Sequence, residues 1–200
     1  MTERAMAVFD ILGWWHAGTG RGDGPIADAV LARSSCGLPY IPGRTVKGLI
    51  RDAVSLGVLA GVAQSDQVVD WFGTDLVEGD PENRERRLEE ARFLTRPGRL
   101  RFESATLGSE WDLWAAANPI ERELLVSHFA STRMGDDGVA SDQTLRTIEV
   151  AVPMCLRAEI SGLDEEAAGV ISAVLPLFLR GVGSHRHRGL GRVSARLEVM

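Results

Sequence analysis

Two glycine-rich segments of the chain, residues 16–24 and 181–191, have the composition of loops that contact phosphate. Glycine lets the backbone approach a phosphate closely, and the second segment adds four consecutive residues that can carry positive charge. The first segment lacks the spacing of a dinucleotide-binding motif. We therefore expect contacts that position a nucleic acid without reading its bases, with a solvated surface loop as the alternative for each segment. The candidate contact residues are His16, Gly18, Gly20, Arg21, His185, Arg186, His187 and Arg188.

A third candidate site lies where residues 42–51 (PGRTVKGLIR) enter a predicted helix. Free N–H groups and basic side chains at the N-terminus of a helix form an anion site. Arg44, Lys47 and Arg51 recur at helical spacing and share one face, and Thr45 lies in the same first turn. Lys47 is the single lysine among 22 basic residues, and its compact ammonium differs from the planar fork of arginine. The pattern predicts phosphate binding, and the alternative is a solvated charged face.

The composition is typical of an ordinary globular protein. The 200 residues are 44% hydrophobic and 25% charged, which suits one folded domain and not a disordered chain. No apolar stretch reaches the roughly 18 residues of a membrane span, and the N-terminus does not resemble a signal peptide. Two cysteines and four histidines lack the number and spacing of a disulfide framework or a structural zinc site. We expect a cytoplasmic protein.

The charged residues are segregated along the chain. The net charge of −6 argues weakly against a nucleic-acid partner, but such binding depends on local patches rather than on the average. Residues 66–90 hold nine acids and three arginines, whereas residues 180–197 hold five arginines, two histidines and no acid. The C-terminal end is therefore the basic end of the chain.

Hydrophobic periodicity predicts a mixed α+β chain. The core elements run strand, helix, strand, strand, helix, strand, which is the order of a ferredoxin-like fold. We expect one domain over residues 1–200, with insertions at about 58–98 and 108–150. The predicted strands cover 5–12, 100–107, 145–152, 154–160 and 192–199, and the predicted helices cover 44–56, 66–72, 83–94, 111–129 (with a break near Pro119) and 164–179.

In chain order, these segments together resemble the RAMP superfamily, the repeat-associated subunits of CRISPR effector complexes. Residues 37–51 (GLPYIPGRTVKGLIR) look like that family's signature PYIPGSSLKGxxR, and the two glycine-rich segments occupy the expected places on either side of it. The resemblance spans nearly the whole chain and implies a modified RNA-recognition-type ferredoxin fold with a hairpin thumb over 135–142. Further matches are the Phe-Gly element at 71–73 and the run that contains Arg133, Arg146, Glu149 and Pro153.

The segment before the signature looks most like the repeated backbone subunit of type III effectors. In that register Asp28 falls on the family's catalytic aspartate. The resemblance implies Mg2+ or another divalent cation, with Asp28 as a possible ligand, and cleavage of guide-paired target RNA by the RNA's own 2′-hydroxyl. It also implies RNA contact by Arg133. The implied partners are guide RNA, target RNA, other RAMP and large effector subunits, and repeated copies of this chain in a filament.

Several alternatives remain open on the sequence alone. Asp28 is a structural loop residue in one of them, and Asp23 is a nearby alternative carboxylate. For the whole protein there are three alternatives. It is a non-cleaving RAMP subunit, a free-standing ribonuclease that processes guide RNA through a histidine, or a protein–protein scaffold that kept the fold. For His16 we favour packing or phosphate contact over the role of a catalytic base.

Overall fold

The structure, a computed structural model, describes residues 3–20, 27–73, 96–132, 138 and 145–199. The helix predicted over 83–94 and, apart from Gly138, the thumb predicted over 135–142 lie outside the described residues. The described strands are β1 (Glu3–Ile11), β2 (Arg101–Phe102), β3 (Val126–Ser131), β4 (Arg146–Ala151), β5 (Cys155–Leu163) and β6 (Val193–Val199). The described α-helices are α1 (Gly43–Leu59), α2 (Ser65–Phe72), α3 (Ser109–Ala117) and α4 (Glu165–Phe178).

The main sheet has four antiparallel strands in the order β2-β5-β1-β6. Strand β1 is central and pairs with β5 on one side and with β6 on the other. Its residues Ala5, Ala7, Phe9 and Ile11 are buried in the core, because alternate side chains of a strand point to the same face. The sheet therefore presents one continuous apolar face to the helices.

Helices α1 and α4 pack together against this core. The side chain of Val174 on α4 packs against Gly57 of α1, where an added Cβ would lie 2.7 Å from Cγ1 of Val174. Asp164 caps α4 by accepting a hydrogen bond of 2.8 Å from the backbone N–H of Ala167. This hydrogen bond, opposed by desolvation and helped by Arg99, lowers the pKa of Asp164 below its usual value. The helix predicted over 164–179 thus begins at its predicted acidic end.

A second sheet corrects the prediction for the middle of the chain. Helix α3 ends at Ala117, a 3-10 helix spans Glu121–Leu125, and the following residues form β3, which pairs with β4. The helix predicted over 111–129 is therefore wrong over 126–129. The local apolar pattern there fits a helix, but a strand partner about 20 residues away overrides local preference.

Two further strand predictions need adjustment. The strand predicted over 100–107 is regular only at Arg101–Phe102, and Ala105 then pairs with Ile41 in an isolated bridge. The two strands predicted on either side of Pro153 both exist, but β4 belongs to the small sheet and β5 to the main sheet. In the described ranges, no helix is long and apolar enough to span a membrane.

Candidate nucleic-acid interface

The two glycine-rich segments and the start of α1 meet around a cleft of about 400 Å³, which we call the helix cleft. Segments that are far apart in sequence supply its walls, so the fold assembles this cleft from all three candidate regions. The residues of interest that line it are His16, Gly18, Thr45, Gly48, Gly183 and Arg186.

Backbone contacts hold the two glycine-rich segments together. The carbonyl of His16 accepts a hydrogen bond of 2.9 Å from the N–H of Ser184, and the carbonyl of Trp14 accepts one of 2.7 Å from the N–H of Gly191. Gly183 has a φ of +74°, and an added Cβ would lie 2.0 Å from the carbonyl oxygen of His16. Glycine is therefore required at 183 to let one loop approach the other.

His16 is buried in the wall of the helix cleft, with 4% of its surface exposed. Its Nδ1 lies 2.6 Å from the backbone oxygen of Glu149. A carbonyl only accepts hydrogen bonds, so Nδ1 must carry the proton that is donated. The other ring nitrogen faces Gly18, where an added Cβ would lie 2.5 Å from Nε2. The ring thus joins the first glycine-rich segment to β4.

Helix α1 turns the stripe formed by Thr45, Gly48 and Asp52 toward the helix cleft. Arg44, Lys47 and Arg51, which the sequence groups on one face, lie on the neighbouring stripe and are not among the residues that line the cleft. Arg44 is exposed, whereas Lys47 and Arg51 are half-buried. The stripe that faces the cleft includes an acid, Asp52, which the sequence reasoning did not select.

Three backbone N–H groups at the start of α1 already donate hydrogen bonds within the protein. The N–H of Gly43 donates to Oγ of Ser104 at 3.1 Å, and the N–H groups of Thr45 and Val46 donate to the carbonyl of Pro42. The N-cap residue Pro42 makes no side-chain capping hydrogen bond, and the first turn of the helix has no acid. The positive end of the helix dipole is therefore not neutralised by a local carboxylate.

Asp28 lies in a second depression of about 580 Å³, which we call the aspartate groove. The loop 181–191 contributes residues to both depressions, and among the described residues the two share no lining residue. Arg186 and His187 line hollows on the side of α1, whereas His185 and Arg188 line the aspartate groove. Other residues of interest in the groove are Phe129, Ser131 and Arg146.

Strand β4 fixes the position of Asp28. The N–H of Asp28 donates to the carbonyl of Thr147 at 2.8 Å, and the N–H of Thr147 donates to Oδ2 of Asp28 at 2.7 Å. Two residues further along, the N–H of Glu149 donates to the carbonyl of Ala29 at 3.0 Å. The loop therefore runs along β4, and one carboxylate oxygen is tied to the backbone. Such a contact restricts the orientation of the carboxylate before any ligand binds.

A network of charged side chains also holds the segment that contains Asp28, through contacts at Leu31 and Arg33. Glu149, whose side chain is 12% exposed, accepts hydrogen bonds of 2.9 Å from the N–H of Leu31 and from Nη2 of Arg33. Arg33 also donates to Glu123 at 2.9 Å. That hydrogen bond lowers the pKa of Glu123, against a smaller effect of desolvation. Burial opposes the charge of Arg33, but its hydrogen bonds to Glu123 and Glu149 raise the pKa of the guanidinium.

A family model for the RAMP superfamily matches residues 9–194 of this chain. The chain belongs to the RAMP superfamily. No curated protein matches it in sequence.

Two solved structures resemble this RAMP protein in fold. A chain in the cryo-EM structure of Type III-B Cmr-beta in the apo state gives a TM-score of 0.68 at 14% identity, over 98% of this chain and 97% of that one. A chain in Type III-B Cmr-beta bound to cognate target RNA gives a TM-score of 0.63 at 17% identity, over 100% of this chain and 61% of that one. The second relative is thus considerably longer. At these identities the likeness describes the fold.

The donor set of the aspartate groove suits a hard cation that is completed by a substrate. Asp28 is the one carboxylate among the described residues that line the groove, and the described part of the chain has no group of three or more possible metal ligands. Mg2+ often binds proteins through one or two carboxylates together with phosphate oxygens and water. Asp28 therefore fits such a cation as a single protein ligand beside a bound phosphate. Asp23, the alternative carboxylate, lies outside the described residues.

Two predicted contact residues of this RAMP chain, Arg21 and Arg133, lie outside the described residues. Gly20 and Gly18 are exposed at the edge of the first glycine-rich segment. Arg33 and Glu123 were not predicted from the sequence, because 90 positions separate them and no local pattern marks such a pair. Phe129 falls in a predicted helix, but in the structure it lies on β3 and lines the aspartate groove.

Proposed function

We propose that this RAMP protein is a backbone subunit of a type III CRISPR effector that binds guide RNA and cleaves the paired target RNA. The observation that carries the proposal is the arrangement around the loop 181–191. Arg186 of this loop and Thr45 of the RAMP signature line the helix cleft, whereas His185 and Arg188 of the same loop line the aspartate groove with Asp28. A binding surface and a candidate reaction centre are thus adjacent and distinct.

The proposed core fold is ferredoxin-like, of the modified RNA-recognition type. The support is the sheet order β2-β5-β1-β6 with antiparallel neighbours, and the two helices α1 and α4 that pack against it. We assign residues 135–142 to a hairpin thumb, since they connect the two strands of the β3–β4 pair.

The guide RNA is proposed to bind through phosphate contacts. Candidates on the described surface are the half-buried Lys47 beside the cleft and the exposed Arg44, Arg186 and His187. Gly18, Gly20 and Thr45 offer backbone or hydroxyl groups at the same place, and the proposal keeps Arg21, Arg51 and Arg133 as further contacts. Such contacts recognise backbone shape, while base pairing between guide and target supplies the sequence.

In the proposed reaction the 2′-hydroxyl of the target RNA attacks the adjacent phosphorus. The O2′–P bond forms, the P–O5′ bond breaks, and the products are a 2′,3′-cyclic phosphate and a 5′-hydroxyl. Asp28 orients or deprotonates the attacking hydroxyl, or holds the divalent cation, while the N–H of Thr147 fixes one of its oxygens. A cation held there would neutralise charge on the phosphate oxygens. DNA lacks the 2′-hydroxyl, so the site acts on RNA.

The proposed partners are guide RNA, target RNA, other RAMP subunits and a large effector subunit, with repeated copies of this chain along the guide in the cytoplasm. The similar chains come from structures of Type III-B Cmr-beta, one of which is of Cmr-beta bound to cognate target RNA, and this supports the proposed assembly.

The test is Asp28→Asn in the assembled effector. We expect target cleavage to fall by at least about 100-fold, because the amide cannot accept the proton or replace the carboxylate charge at a cation. Guide binding should be unchanged, since Asp28 lies on the other side of the loop. Cleavage at the wild-type rate would contradict the proposal.

A second candidate function is a RAMP subunit that holds RNA and does not cleave it. It is favoured by the single carboxylate among the described groove residues. The wild-type complex distinguishes the two functions: a non-cleaving subunit leaves the target intact with a divalent cation present, and it still binds RNA with an affinity that falls as salt rises.

A further inference from the structure

His185 differs from the other basic residues of the loop 181–191 in its backbone conformation. Its φ is +58°, and among the described residues it is the only one other than glycine with a positive φ. A left-handed conformation costs a residue with a side chain about 1–2 kcal/mol, and glycine adopts it freely. Residues held in such conformations concentrate at functional sites, so this strain is a reason to ask what the imidazole does.

The loop holds this conformation through contacts on both sides of His185. The carbonyl of His185 accepts a hydrogen bond of 2.8 Å from the N–H of Arg188, and the N–H of Ser184 donates to His16 at 2.9 Å. His185 is exposed and lines the aspartate groove, whereas His187 lines the hollow between α1 and the end of α4. Although only two positions separate them, His185 and His187 therefore line different depressions.

The aspartate groove contains the parts of an acid–base pair. The charged and titratable groups that line it in the described part of the chain are Asp28, Arg146, His185 and Arg188. Asp28 can accept a proton, but a guanidinium remains protonated and is a poor proton donor. Among these four groups the imidazole of His185 is the one that can both carry a proton and release it to a leaving group, so it is the candidate proton donor.

We propose that His185 is a catalytic residue, the general acid that protonates the 5′-oxygen leaving group as the target RNA is cleaved. This inference rests on the proposed function. The carboxylate of Asp28 accepts the proton of the attacking 2′-hydroxyl, the O2′–P bond forms, and the P–O5′ bond breaks. The His185 imidazolium gives its proton to O5′, so a neutral 5′-hydroxyl leaves and the imidazole becomes neutral. Arg146 and Arg188 bind the phosphate oxygens meanwhile.

The test uses the assembled effector and two target RNAs. One has the natural 5′-oxygen at the scissile position, and the other has a bridging 5′-sulfur, which leaves as a thiolate without protonation. His185→Gln should slow cleavage of the natural target by about 100-fold and should cleave the 5′-sulfur target at nearly the wild-type rate. Asp28→Asn should be slow on both targets. His128→Gln, which changes a histidine of β3 that does not line the groove, is the matched control and should match the wild type on both.

A second variant separates chemistry from loop structure. His185→Gly removes the imidazole but suits the left-handed backbone, so it should assemble normally and show the same rescue by sulfur. Loss of cleavage without rescue in both variants would overturn the proposal in favour of a phosphate contact. Wild-type cleavage by His185→Gln, while Asp28→Asn is inactive, would overturn this inference alone. A wild-type complex that cleaves neither target would overturn the proposed function and this inference with it.

Discussion

The helix cleft and the aspartate groove lie on opposite sides of one loop, yet they are built in different ways. The helix cleft depends on glycine, because two backbones approach so closely at Gly183 that no side chain fits. The aspartate groove depends on hydrogen-bonded side chains, because Asp28 and the loop behind it are tied to β4 through Thr147 and Glu149. The helix cleft is shaped by glycine residues, which have no side chain, and the aspartate groove is shaped by charged side chains.

This difference suits the two depressions to different tasks, RNA binding in the helix cleft and RNA cleavage in the aspartate groove. A surface that follows an RNA backbone needs shape and diffuse positive charge, which close-packed loops can supply. A reaction centre needs one group held in a fixed orientation, which a supporting network supplies. Strand β4 connects the two, since the carbonyl of Glu149 binds His16 and its carboxylate binds Arg33.

The largest effect is expected at the contact between the glycine-rich segments. Gly183→Ala should destabilise the protein by about 4 kcal/mol, because it adds a clash with the backbone of His16 to the cost of a positive φ. Gly189→Ala is the matched control: its φ is +86°, but an added Cβ has nothing within 4 Å. It should cost about 1 kcal/mol. Urea unfolding measures both, and equal losses would show that the helix cleft does not depend on this close approach.

A smaller but still large effect is expected in the network behind the groove. Glu149→Gln should lower the free energy of unfolding by about 2 kcal/mol, since Arg33 loses its more buried charged hydrogen-bond partner and keeps only the exposed Glu123. Glu159→Gln is the control, because Glu159 pairs with an exposed Arg4 at 3.4 Å, and such surface pairs contribute less than about 1 kcal/mol. If Glu149→Gln proves as stable as Glu159→Gln, the network around Glu149 does not stabilise the protein as proposed.

The smallest effect is the pH dependence of the outer end of that network. Arg33 lowers the pKa of Glu123 below its ordinary value of 4.5. The stabilising contribution is therefore fully present above about that pH and is lost as the pH falls through 4.5 and below. Glu123 is 55% exposed, so the contribution is under about 1 kcal/mol. The stability difference between the wild type and Glu123→Gln should shrink from pH 6 to pH 3. A constant or growing difference would contradict this pairing.

The sequence predicts those elements whose signals are local. The helix predicted over 44–56 is observed over Gly43–Leu59, and the acidic start predicted for α4 is its cap at Asp164. Periodicity and capping act over one or two turns, so they can be seen in a single chain. The strand at the N-terminus, observed over Glu3–Ile11, is found for the same reason, since its short apolar run is contained in a few residues.

Features that depend on distant partners could not be predicted in this way. Strand β3 looks helical until its pairing with β4 is known. The face of α1 that meets the helix cleft is set by its buried side, which includes Val46 and Ile50, and not by the spacing of its basic residues. The contact between Arg33 and Glu149 joins positions 116 residues apart. Only the folded chain brings these groups together.

The central claim is that the loop 181–191 separates RNA holding from RNA cleavage. The most direct test measures guide affinity across a salt series and target cleavage at saturating RNA, for Asp28→Asn and for Arg186→Gln in the same assembled effector. Asp28→Asn should lose cleavage and keep guide affinity. Arg186→Gln should weaken guide binding, reduce the salt slope by about 1 and keep cleavage. Equal losses of both properties in both variants, or wild-type cleavage by Asp28→Asn, would contradict the account.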